Sequence, residues 1–217
     1  MRTHNRESQQ SLTPTEALQI LREGNGRFQA NLKANRNLLQ QVNETRDGQF
    51  PFAAILSCID SRVSAELVFD QGLGDVFSIR IAGNFVNDDI LGSLEFACKV
   101  AGSKLIVVLG HSSCGAIKGA CDDVRLGHLT GLLAKIRPAI ESVGEPSDSA
   151  VRNSHNAEFV QAVADANVEL AVAQIRERSR VLRELLDQGR IAIVGGMYDV
   201  ASGAVEFHAV PELAAKG

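Results

Sequence analysis

Four short runs of apolar residues punctuate the chain: "PFAAILS" (51–57), "VFSIRI" (76–81), "KLIVVLG" (104–110) and "IAIVGG" (191–196). Each is too short and too uniformly apolar for an amphipathic helix, and together they predict parallel strands buried on both faces. Between them, apolar residues recur at helical spacing near 64–70, 88–101, 126–142 and 157–188. "MYDVASGAVEFH" (197–208) predicts a strand, a Ser-Gly turn and a returning strand. Near the N-terminus, Thr13 is placed as an N-cap, with Pro14 in the first turn and Glu16 three residues after the cap. A helix is expected from there, bent by Gly24 and Gly26. The predicted fold class is α/β: a central, mostly parallel sheet of about four strands plus an added C-terminal antiparallel strand, flanked by helices. An N-terminal helical arm spans 12–40, and the polar segment 1–11 is expected to be flexible.

The 217 residues suffice for one such domain with a substantial core, and no compositional break asks for two. With 22 basic and 26 acidic residues the net charge is -4, and no dense Lys/Arg run could line a phosphate backbone, so nucleic acid is not an expected partner. No apolar stretch approaches the roughly 20 residues that span a bilayer, and "MRTHNRESQQ" is too polar for a secretory signal. A cytoplasmic protein with no membrane partner is therefore expected. "GLGDVF" has Phe77 where a dinucleotide fingerprint needs its third glycine, and no phosphate-loop motif occurs.

Four cysteines, at 58, 98, 114 and 121, are too few and too unevenly spaced for a disulfide framework. Metal binding, catalysis or simple burial remain. Cys58 follows one predicted strand and His111 and Cys114 follow another, and the carboxyl ends of parallel strands form the ligand crevice of an open sheet. Taken singly, each is as well explained by burial; together they offer two thiolates and an imidazole, the donor set of a zinc ion with one position left for water. Such a site is catalytic rather than structural.

Asp60 and Arg62 follow Cys58 at alternate positions, so in an extended segment all three side chains leave one face. A carboxylate there could occupy the fourth zinc position or bind the water that does; a bidentate guanidinium would hold it off the metal and ionised. A surface ion pair is the alternative. Because two thiolates cancel the charge of Zn²⁺, the ion needs help in acidifying water. Asp60 and the N-terminal amides of the "GAIKGA" helix could give it.

At these residues the chain resembles the β-class carbonic anhydrases, whose paired signatures C-x-D-x-R and H-x-x-C stand here as Cys58-Ile59-Asp60-Ser61-Arg62 and His111-Ser112-Ser113-Cys114. The likeness runs from about residue 12 to 208, through "RIAGN" (80–84) and "GSLEF" (92–96), and makes 50–210 the catalytic core. It implies reversible hydration of carbon dioxide to bicarbonate by zinc-bound hydroxide, with one zinc per subunit. Cys58, His111 and Cys114 match the metal ligands and Asp60 and Arg62 the catalytic dyad, Asp60 becoming a fourth ligand in the closed state. Gln49 matches a glutamine that reaches the pocket from a neighbouring subunit; Phe77, Ala82 and Phe96 match its apolar wall, and the Gly115 amide lies beside substrate. Carbonyl sulfide or carbon disulfide hydrolysis on the same scaffold is the alternative activity. A homodimer or a dimer of dimers is implied. Some members hold bicarbonate at a second site through a tryptophan and a tyrosine; the chain has no Trp and only Tyr198, so the open, water-bound form is expected near neutral pH.

Overall fold

The computed structural model describes residues 3–209. Five strands form one sheet: β1 (Ala53–Ser57), β2 (Val76–Arg80), β3 (Leu105–His111), β4 (Ala192–Tyr198) and β5 (Val205–Phe207), in the order β2-β1-β3-β4-β5. The first four are parallel and β5 runs antiparallel to β4. The predicted strand "MY" is not separate: Met197 and Tyr198 complete β4, and the turn follows them. In that turn Asp199 accepts hydrogen bonds from the amides of Ala201 and Ser202, and Gly203 takes a left-handed φ of 77° that glycine adopts without steric cost.

Every residue of β1 and β3 is buried, as continuous apolar runs demand of strands covered on both faces. Because side chains alternate, Ala54, Leu56, Ile106, Val108 and Ile193 face one core, and Ile55, Leu105, Val107, Leu109 and Val194 the other. The first face is covered by α5 (Asp88–Glu95), α9 (Ala157–Arg178) and α10 (Arg180–Asp187); the second by α2 (Pro14–Gln29) and α4 (Ala65–Val68). A third cluster joins α6 (Gly115–Cys121), α7 (Gly127–Leu133) and α8 (Arg137–Ser142) to α9 beneath Cys58 and Cys114.

Helix α2 has the expected reciprocal cap: Thr13 Oγ1 accepts from the Glu16 amide at 3.2 Å, and Glu16 Oε2 accepts from the Thr13 amide at 2.8 Å. It runs unbroken through Gly24 and Gly26. At Gly24 a Cβ would lie 1.8 Å from the Phe69 carbonyl oxygen, so the glycine lets α2 press against the end of α4.

Three expectations are corrected. The pattern at 157–188 is two helices, broken at Ser179, whose hydroxyl oxygen accepts from the Leu182 amide and caps α10. The pattern at 126–142 likewise divides, with Pro138 in the first turn of α8. Residues 6–11, expected to be flexible, form α1 (Arg6–Ser11), anchored by buried Gln9, whose amide nitrogen donates to the carbonyls of Pro51 and Ala101. The helix expected at 88–101 finishes as a π-helical turn, Phe96–Val100, and a further helix, α3 (Leu38–Thr45), lies within the N-terminal arm.

Candidate metal centre

The strand ends bring the candidate ligands together. In the β1–β3 register Ser57 faces Leu109, so Cys58, one residue past β1, meets His111 at the end of β3. Ser113 then takes a left-handed φ of 55°, a conformation costing about 1–2 kcal/mol for a residue with a side chain. That reversal presents Cys114, the N-cap of α6, to the same point. The donor atoms of Cys58, His111 and Cys114 all lie within 4.8 Å of one another, and all three residues are buried.

The chemistry of this group fits a thiophilic dication. The two sulfurs are 3.9 Å apart. The Cys58 thiol is held well below the ordinary thiol range, first by the hydrogen bond from Cys114 and then, against burial, by His111 and the Gly83 amide. Cys114 is pushed up by the proton it gives Cys58, by burial and by the Cys58 charge. The pair thus loses its first proton readily and its second only at high cost, because a second thiolate would sit beside the first; a bound cation removes that obstacle. His111 Nε2 is buried and has no hydrogen-bond partner among the described residues, the state of a nitrogen left free for a metal.

Behind the ligands lies a network the sequence did not disclose. His111 Nδ1 is 3.0 Å from the Ser112 carbonyl oxygen. Ser112 is fixed in turn: its amide donates to the Tyr198 carbonyl, its hydroxyl donates to Asp199 Oδ1 at 3.0 Å, and its Oγ accepts from the Val200 amide. Arg80, the first residue of "RIAGN", belongs to the same network: its Nε donates to the Cys58 carbonyl at 3.0 Å and its Nη2 to the Asp60 carbonyl at 2.7 Å. The available signal was a cation closing a strand beside the one that ends in Cys58. Gly83 donates its amide to Cys58 Sγ at 3.4 Å, and its carbonyl accepts from buried Asn167.

Asp60 and Arg62 sit at the rim. The segment is not extended as expected: it turns, with the Val63 amide donating to the Asp60 carbonyl, and Arg62 folds back to grip the carboxylate through both oxygens. The guanidinium holds the Asp60 carboxyl well below the usual carboxylate range. Asp60 Oδ2 stands 4.0 Å from His111 Nε2 and outside the three-donor group.

Of the other candidates, Ala82 precedes Gly83 in the turn beside Cys58, and Gly115 opens α6, with open space where a Cβ would stand. Phe77 and Phe96 pack edge-to-face, centroids 6.2 Å apart, and line a recess beside β2 together with Ile79 and Asp89. Gln49 lies before β1, at the far end of the sheet from Cys58.

A parallel sheet whose strand ends gather two thiols, an imidazole and an ion-paired carboxylate defines a catalytic metal-site class within the α/β proteins. Residues 53–205 match the family model described as carbonic anhydrase. The chain is 40% identical over 196 residues to carbonic anhydrase 2 of Mycobacterium tuberculosis, covering 88% of this chain and 90% of that protein. It is 36% identical over 200 residues to the carbonic anhydrase of Mycolicibacterium smegmatis, covering 89% and 92%. Among solved structures, the β-carbonic anhydrase CcaA superposes with a TM-score of 0.69 at 25% identity, covering 89% of this chain and 92% of that one. CafA of Aspergillus fumigatus gives 0.68 at 25% identity, covering 82% and 86%. The chain belongs to the β-class carbonic anhydrase family.

Proposed function

We propose that the protein catalyses reversible hydration of carbon dioxide to bicarbonate and a proton, with zinc held by Cys58, His111 and Cys114. One observation carries the reading: three convergent donors with an arginine-gripped carboxylate 4.0 Å from the imidazole nitrogen. Bound zinc supplies a Lewis acid that lowers the pKa of water. Asp60 accepts a hydrogen bond from the attacking water at Oδ2 and orients it. Arg62 fixes the direction of that carboxylate by gripping both of its oxygens, and would leave the fourth zinc position to water. Arg80 fixes the loop carrying both by holding two of its carbonyls, and the N–H groups of Ala116 and Ile117 favour the Cys114 thiolate. Beside Gly115 there is room for a small substrate.

The names of the matched relatives favour carbon dioxide over carbonyl sulfide or carbon disulfide. Stopped-flow hydration on zinc-loaded protein beside a sulfide-release assay tests this; activity confined to the sulfur compound rejects it. We also infer a homodimer or a dimer of dimers. Edge strand β2 is only half-covered, and Phe96 and Val100 next to it are 52% and 72% exposed, an apolar flank suited to a second copy. Gln49, remote from its own metal centre, could then serve a neighbour's. Two thiols that must stay reduced to hold metal support placement in the cytoplasm; among the described residues no helix is long and apolar enough to cross a membrane.

A further inference from the structure

At the amino end of the sheet, opposite the metal centre, the segments leading into β1, β3 and β4 enclose a hollow of about 350 Å³. Its charged lining is uniform in sign: Arg6 from α1, Lys99 from the π-helical turn, Lys104 just before β3 and Arg190 just before β4, with no carboxylate among the lining residues. This is notable in a chain of net charge -4.

The cations are not spent on other partners. Among the described residues none of the four forms an ion pair with a carboxylate; Arg6 lies over the Phe50 ring, 5.4 Å from its centroid, which leaves its guanidinium N–H edge free to donate. Lys104 is half-buried, and burial together with the nearby charge of Arg190 lowers its pKa. Its backbone cannot retreat, because its amide donates to the Phe52 carbonyl and its carbonyl accepts from the Ala192 amide. The fold thus holds like charges together in a recess, a repulsion that an anion would relieve.

We propose that this hollow binds a small multivalent oxyanion of the phosphate class. The charge count sets the class: a monovalent anion such as bicarbonate would neutralise one cation of four, whereas a phosphate group offers two charges and several acceptor oxygens to guanidinium and ammonium donors. The volume lies within the range of small-molecule sites, roughly 300–1,000 Å³, and Gln10 adds a neutral carboxamide at the wall. The site is separate from the metal centre of its own subunit. β3 runs seven residues from beside the hollow to His111, about 20 Å at strand rise.

Calorimetric titration of the zinc-loaded protein with inorganic phosphate, at ionic strength fixed with chloride, tests the proposal. The wild-type chain is expected to bind phosphate saturably, and the Lys104→Ala/Arg190→Ala double variant to bind at least about tenfold more weakly, from the loss of charge-assisted contacts. Phosphate held at the zinc would be indifferent to these distant substitutions, so equal affinity in the variant overturns the site. Wild-type heats matching those of added chloride, or a solution oligomer in which the hollow is filled and phosphate does not bind, overturn it as well. Lys99→Ala, on an exposed side chain that leaves the sheet untouched, is expected to weaken binding in the same direction. It provides the reading if the double variant loses its fold by circular dichroism.

Discussion

Arg62 holds Asp60 by a two-pronged contact, Nε to Oδ1 at 2.9 Å and Nη2 to Oδ2 at 2.8 Å, from a position two residues further along a single turn. The arginine is half exposed while the carboxylate side chain is 17% exposed, so the acid faces inward and the base braces it from outside. The contact therefore fixes the direction of the carboxylate.

Asp60→Ala is expected to retain stoichiometric zinc and to lose on the order of 10²-fold or more in hydration rate, the range for removing a positioned proton acceptor. Arg62→Ala should lose activity too, and in a diagnostic way. Asp60 has its pKa depressed chiefly by Arg62, and without that contact the pKa rises only toward the ordinary carboxylate value near 4. The acid is thus ionised at neutral pH in both proteins. Raising the pH from 6 to 9 should not restore the Arg62→Ala rate relative to wild type; selective recovery would show that the arginine sets ionisation rather than aim.

Ser112→Ala and Asp199→Asn should weaken zinc retention by roughly 10–100-fold, the usual effect of loosening the groups that orient a ligand. Chelator competition measures this without reference to turnover. Unchanged affinity would show that His111 is held by packing alone.

Asp70 sits between Arg27 and Arg36, at 2.5 and 2.6 Å, joining the N-terminal arm to the end of α4. Burial raises its pKa, but Arg27, the Ala34 amide and Arg36 together outweigh that effect and lower it. A depressed carboxylate contributes stability that is complete above its unfolded value near 4 and is lost as pH falls through the lower folded value. Asp70→Ala should cost about 3 kcal/mol at neutral pH, with the difference from wild type shrinking in acid. Urea midpoints at pH 7 and below pH 4 give both numbers, and a cost that grew in acid would reverse the assigned sign.

Two glycines of α2 make a matched pair. Gly24→Ala would drive a methyl into the Phe69 carbonyl and should destabilise by about 2 kcal/mol or more. Gly26→Ala, with nothing within 4 Å of the new Cβ, should stabilise the helix by up to about 1 kcal/mol. Urea denaturation of both checks how tightly α2 docks.

Phe96→Asp should shift the protein toward monomer in sedimentation if the flank of β2 meets a second copy. An oligomer unaffected by the substitution would move the interface elsewhere.

The strands, their parallel direction and the convergence of Cys58, His111 and Cys114 were legible because each rests on a local rule: uniform apolar runs of strand length, and donors placed just past them. Asp199 and Ser112 were not. They are 87 residues apart in sequence and meet only because β4 pairs with β3, so no spacing could relate them. The break at Ser179 escaped because the apolar spacing continues across it, while the stop comes from the hydroxyl cap and from Glu95, which accepts that hydroxyl at 2.6 Å. Phe77 and Phe96 were legible as apolar, but the recess they share with Asp89 forms only once α5 packs beside β2.

The pairing of Ser57 with Leu109 has a consequence for how the chain matures. A strand that slipped by one residue would turn every side chain to the opposite face and carry Cys58 about 3.3 Å along its axis. Sulfur and imidazole would then no longer point at a common centre. Capture of an ion would thus favour the correct register: a chain assembled out of step would gain nothing from a metal, while one aligned correctly would be held at the end where its two central strands stop.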